Sequence, residues 1–161
     1  MTSLVGDARP PRLAVAALNP MLKLLLRTPL GRSIRPLALL DFTGRRSGRH
    51  FSVVVGWHSI DGLPVVITPA SWRANFSGGR RATIRSRAER TELIGTLDTD
   101  PDAVAHCIAA LVDAGTAPRA LGLSIPEGHT ITADDVRSCG RAVVRFSPDS
   151  PNPSPNPSPN Q

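Results

Sequence analysis

Apolar residues recur in this chain with two different periods. Arg12 to Leu18 and Pro20 to Thr28 carry helical spacing: Leu22, Leu25 and Leu26 share one face, and Lys23 and Arg27 share another. Asn19-Pro20 forms a cap and first-turn pair between the two segments, and Pro29 and Gly31 stop the second. From Pro36 the period shortens to two. Pro36 to Thr43 reads as an apolar strand. His50 to His58 alternates, with Phe51, Val53, Val55 and Trp57 on one face and His50, Ser52, Val54, Gly56 and His58 on the other. Asp61-Gly62 signals a hairpin turn into Leu63 to Thr68, a near-continuous apolar strand closed by Pro69. Ser71 reads as the cap of a short helical turn holding Trp72, Asn75 and Phe76, ended by Gly78-Gly79. Ala82 to Ser86 and Thr91 to Leu97 form a hairpin with a charged tip, Arg87 to Arg90. Asp100-Pro101 opens a long helix with Val104, Cys107, Ile108, Leu111 and Val112 on its apolar stripe and Gly115 at its end. Leu121 to Gly128 is loop-like, Thr132 caps a short helix through Val136, and Arg141 to Phe146 alternates as a last strand with Ala142, Val144 and Phe146 on one side.

Six strands, a leading helix and one long helix inserted before the last strand predict an α+β fold. Short strands linked by hairpins favour an antiparallel, partly closed barrel over a parallel sheet. Residues 1–9 read as a flexible N-terminus and residues 10–147 as one domain. Residues 148–161 hold six prolines in a Pro-Asn-Pro-Ser repeat without a large apolar side chain, which predicts a disordered tail. A chain of 161 residues suits a single core. Its longest apolar run, Leu13 to Leu18, is far short of the roughly 20 residues that span a bilayer. No apolar segment resembles a signal peptide. Two cysteines make no disulfide framework and suit a reducing compartment. The expectation is a cytoplasmic protein.

Charge changes the picture. The formal net charge is +6, and Lys23 is the only lysine among nineteen basic residues. Residues 1–50 carry nine basic and two acidic side chains, residues 71–90 six and one, and residues 91–135 one and eight. A basic first half suits a partner with phosphates or carboxylates: an anionic cofactor, a membrane surface or nucleic acid. Nucleic acid fits poorly, because 4% aromatic residues without a tyrosine leave few rings for base stacking. The leucines beside Lys23 and Arg27 suit either an interfacial helix over residues 12–28 or a helix packed on the barrel.

Two segments can carry chemistry. Gly44-Arg45-Arg46-Ser47-Gly48-Arg49 lies between two strands. Its glycines let the backbone turn with amides outward, a nest for an anion, and its arginines and serine add charge-assisted donors. The same residues also read as a hairpin turn with solvated arginines. In Ser71-Trp72-Arg73-Ala74-Asn75-Phe76, Trp72 and Asn75 share a helical face, so an indole and an amide stand ready for a planar heterocycle; the alternative is a core tryptophan under a short connector. No catalytic triad, paired carboxylates or metal cluster emerges. His50 and His58 lie about 26 Å apart along one strand, His106 is off its helix stripe, His129 is in a loop, and Cys107 reads as a small core residue.

These segments, with Val65-Val66-Ile67-Thr68-Pro69 between them, Arg81-Ala82-Thr83-Ile84-Arg85 after them and the closing Arg141-Ala142-Val143-Val144-Arg145-Phe146-Ser147-Pro148, resemble in order and spacing the deazaflavin-dependent nitroreductase family. The resemblance runs from about Asn19 to Pro148. It implies a split β-barrel, coenzyme F-420 (an 8-hydroxy-5-deazaflavin with a phosphodiester and a polyglutamate tail) with FMN standing behind it, and hydride transfer to a quinone, nitro compound or other unsaturated acceptor. It implies that Arg45, Arg46, Ser47 and Gly48 meet the phosphate and tail, and that Thr68, Trp72 and Asn75 approach the ring or its ribityl chain. Related barrels often pair as homodimers. The chain departs from the family where His50, Phe51 and Val54 stand in place of proline, arginine and proline. The segment before Trp72 is shortened, and tyrosine is absent. These departures motivate a second reading, a non-redox binder of a lipid or other apolar ligand on the same barrel.

Overall fold

In the computed structural model, residues 6–7, 37–86 and 89–149 are described. The strands are β1 (Gly6–Asp7), β2 (Leu37–Thr43), β3 (His50–Gly56), β4 (His58–Ile60), β5 (Leu63–Thr68), β6 (Arg80–Ser86), β7 (Glu89–Asp98), β8 (Leu123–Ser124) and β9 (Ala142–Pro148). The helices are α1 (Pro101–Asp113) and α2 (Ala133–Cys139), with 3-10 turns at Ser71–Phe76 and Pro118–Leu121. β1, inside the stretch expected to be flexible, pairs with β8, while seven strands form one antiparallel sheet in the order β3-β2-β6-β7-β9-β5-β4. The predicted helices over residues 12–28 and the tail beyond Asp149 lie outside the described residues.

The strand order explains the sheet's shape. β3 and β4 stand at opposite edges, yet only Trp57 separates them in sequence. Two peptide units span at most about 7.6 Å, so the sheet must curl until its edges nearly meet. The single strand expected over His50 to His58 is therefore two strands, broken at Trp57. Alternation alone does not reveal the break, because Trp57 continues the inward face of Phe51, Val53 and Val55.

Both faces of the curl are packed. Leu40, Phe42, Val55, Val66, Ile84, Leu93, Val144 and Phe146 fill the inside together with Phe76. At Gly95 a Cβ would stand 2.6 Å from Phe76 and 2.8 Å from Phe146, so the rings pass directly over the bare backbone. Outside, α1 lays Val104, Cys107, Ile108 and Leu111 against Val65, Ile67 and Val143, and Val136 of α2 joins the same cluster. Coverage of both faces accounts for the unbroken apolar run of β5. The Asp100 carboxylate caps α1 by accepting from the Ala103 N–H at 3.0 Å. Asp61 (φ 52°) and Gly62 (φ 77°) make the expected two-residue turn between β4 and β5. The β6–β7 ladder runs to Ser86 opposite Glu89, so Glu89 and Arg90 belong to the strand and not to the tip. Among the described residues no helix is long and apolar enough to cross a membrane.

Candidate functional site

The arginine-rich loop joins β2 to β3 beyond their last pair, Thr43 and His50. It closes on itself: the Gly44 N–H donates to the Arg49 carbonyl at 2.8 Å and the Gly48 N–H to the Gly44 carbonyl at 3.0 Å. Gly48 takes φ +65°, which a side chain would strain. A Cβ on Gly44 would lie 2.6 Å from the Phe51 ring and 2.7 Å from Ser47 Oγ. Glycine there lets Phe51 fold over the loop base. Ser47 Oγ accepts from the Arg49 N–H at 3.3 Å and keeps its own hydrogen to donate.

The 3-10 turn Ser71–Phe76 sits beside this loop. Ser71 does not cap it. The cap position is Ala70, whose N–H is taken by the hydroxyl oxygen of Thr68 at 3.1 Å, so a bend two residues earlier starts the turn. Arg73 pins the turn from behind, with Nη1 donating to the Thr68 carbonyl at 3.0 Å and the Gly140 carbonyl at 2.7 Å. Asn75 faces the loop. Its Nδ2 donates to the Trp72 carbonyl at 2.8 Å and its Oδ1 accepts the Arg45 backbone N–H at 2.8 Å. Arg45 Nη1 reaches the Ser77 carbonyl at 3.5 Å. Loop and turn thus form one rim at the same end of the curled sheet.

Aromatic rings floor this rim. Phe42, 3% exposed, stacks on Phe51 at a centroid distance of 5.4 Å and an interplanar angle of 15°. Trp72 lies 5.9 Å from Phe42 and 5.9 Å from Phe76. Phe51 is 36% exposed and Trp72 half-buried, so an apolar shelf continues from the loop toward the turn.

The electrostatics of the two sheet faces differ. Among the described residues, no carboxylate lies within ion-pair distance of Arg45, Arg46 or Arg49, and all three are exposed. On the outer face at the same end, Arg85 pairs with buried Asp41 at 3.1 Å, Arg81 with Asp149 at 2.8 Å, and Arg90 with Glu92 at 3.2 Å. A groove of about 240 Å³ runs there, lined by Asp41, His50, Arg81, Glu92 and Asp149. Its cations already have partners and its carboxylates disfavour an anion. The loop side is the face with free positive charge.

Of the residues singled out in the sequence, Arg45, Trp72 and Asn75 are joined directly, and Arg46, Ser47 and Gly48 are exposed on the same loop. Thr68 is 7% exposed and its oxygen is engaged by Ala70, which leaves it a hydroxyl hydrogen to donate. Asn75 keeps one amide hydrogen and one lone pair after its two internal bonds. Sequence reasoning missed Arg73, because its two carbonyl partners are set by chain crossings that no local spacing records. It also missed the contact of His129 with Asp135 at 2.9 Å, although Thr132-x-x-Asp135 is a legible capping box. His50 and His58 diverge: His50 is exposed near Asp41, and His58 is buried on β4. No group of three or more metal-ligating side chains occurs among the described residues. No protein-family model matches the chain, and no curated protein matches it.

Proposed function

We propose that the chain is a deazaflavin-dependent oxidoreductase on a split β-barrel, passing hydride between the reduced coenzyme and a small unsaturated acceptor. The observation that carries this reading is the 2.8 Å bond from the Arg45 amide to Asn75, which makes the cationic loop and the tryptophan turn a single site. The residues present fit such a group. The exposed guanidiniums of Arg45 and Arg46, with no carboxylate within ion-pair distance among the described residues, and the Ser47 hydroxyl suit a phosphodiester and carboxylates, since arginine grips such anions bidentately. The shelf of Phe51 and Trp72 suits a planar ring.

When bound, the coenzyme supplies the hydride chemistry. The chain's own residues do the rest. Arg45 and Arg46 would hold the anionic arm, Trp72 would pack against the ring, and the aromatic floor would exclude water beneath it, while Asn75 keeps loop and turn in register. Thr68 lends rigidity below the turn.

The competing reading, a lipid or apolar binder, finds little support from the interior. Phe76 and Phe146 close over Gly95 so tightly that a methyl group there would collide with both. The experiment that separates the readings follows absorbance of the reduced coenzyme with quinone, nitroarene and enone acceptors. Protein-dependent oxidation that is lost in Arg45→Ala/Arg46→Ala supports the redox reading. No protein-dependent oxidation with any acceptor class overturns it.

A further inference from the structure

On the outer side of α1, away from the arginine loop, lies a cavity of about 150 Å³. Ala109 and Val112 of α1 form one wall, and Ile125 and Ile131 form the facing wall. His129, 20% exposed, and Thr130 are the polar residues between them, and Asp113 also lines the cavity. A space of about this size accommodates a single six-membered ring.

The chemistry of His129 is fixed from behind. Its Nε2 lies 2.9 Å from Asp135 Oδ2, which also accepts the Thr132 N–H at 2.9 Å and the Thr132 hydroxyl at 2.8 Å. Burial pushes the Asp135 carboxyl up, but the bonds from His129 and Thr132 more than offset this and hold it below the ordinary range. An ionised carboxylate can only accept, so the ring proton sits on Nε2. Nδ1 is left as the ring nitrogen without a hydrogen-bond partner among the described residues. This bond locks the ring in one tautomer and one orientation.

We propose that this cavity is a second ligand site, separate from the arginine rim, that takes a neutral single-ring molecule bearing one hydroxyl that hydrogen-bonds to His129 Nδ1. The four apolar side chains of the two walls select the ring. The Asp113 carboxylate disfavours an anion, so a phenol or cyclic alcohol fits better than a carboxylic acid. Nothing in this argument uses a redox coenzyme, and the test contains none.

The test titrates the full chain with phenol and with its shape-matched relative toluene, which lacks the hydroxyl, and reads the methyl resonances of Ile125 and Ile131 by NMR. The expected result is a saturable shift with phenol in the millimolar range. Ala109→Leu, which fills the cavity, should abolish it. His129→Phe should lower the preference for phenol over toluene about fivefold, the worth of one hydrogen bond. If His129→Phe fails to fold, the wild-type contrast between the two probes together with Ala109→Leu carries the test. A shift that does not saturate, one that survives Ala109→Leu, or equal affinity of the wild type for both probes would overturn the proposal.

Discussion

Arg45 donates its backbone N–H to the side-chain oxygen of Asn75 at 2.8 Å, across thirty residues of sequence. Because Asn75 also donates to the Trp72 carbonyl at 2.8 Å, one side chain ties an exposed loop to a half-buried indole. Asn75→Ala should cost about 0.5–1.5 kcal/mol, since water can replace it at the exposed Arg45 amide. Asn75→Asp keeps the acceptor for Arg45 and loses the donor to Trp72, so it should fall between wild type and the alanine variant. Urea midpoints check this order.

Gly95→Ala should destabilise by about 1–3 kcal/mol, the usual range for an overpacked core. Its Cβ would stand 2.6 Å from Phe76 and 2.8 Å from Phe146, two rings that themselves touch at 5.8 Å. Chemical denaturation gives the magnitude. An unchanged midpoint would mean that the two rings move aside freely.

Acid should act through two groups with lowered pKa. Burial raises Asp135, but hydrogen bonds from His129 and Thr132 bring it below the ordinary 3.8. Its stabilising share is therefore present above 3.8 and is lost as pH falls through the folded value. Asp135→Asn should be less stable than wild type at pH 7, with the gap closing at pH 3 and below. Burial holds His58 below 6.5, against a smaller upward pull from its bond to the Ala120 carbonyl. The unfolded chain thus takes up this proton first, and stability falls as pH drops below 6.5. His58→Phe should flatten the slope of unfolding free energy between pH 7 and 5, measured in urea at each pH.

The two cysteines should differ in reactivity. Burial pushes the Cys107 thiol up and the Arg145 guanidinium only partly offsets this, so the thiol stays protonated under α1. Cys139, half-buried at the end of α2, is reachable. A thiol reagent at pH 8 should label Cys139 in the native protein and Cys107 only on unfolding, as peptide mass mapping would record.

Most strands were legible because alternation and turn chemistry are local. Asp61-Gly62, the Asp100 cap and the Thr132 cap all appear where their residue types demand. The misplacements arise where tertiary closure decides. The run from Phe51 to Trp57 alternates without interruption, yet the chain must leave one sheet edge for the other at Trp57 to close the curl. Ser71 has the right type for a cap, but the Ala70 carbonyl accepts the first bond of the turn, from the Arg73 N–H at 3.3 Å, so the cap position falls one residue earlier. At the rim, the residue types of the loop and the turn were readable, but the bond joining them was not. Asn75 read as a group for a ligand also serves as the link that positions Arg45.

The most direct test of the central claim is the affinity of the purified chain for the deazaflavin coenzyme, followed by coenzyme and tryptophan fluorescence in wild type and in Arg45→Ala/Arg46→Ala. The account predicts saturable binding that weakens with added salt and falls at least about tenfold in the double variant, since each charge-assisted bond is worth roughly 1.5–3 kcal/mol before solvent screening. Equal affinity in both proteins, or no saturable binding to wild type, would contradict it.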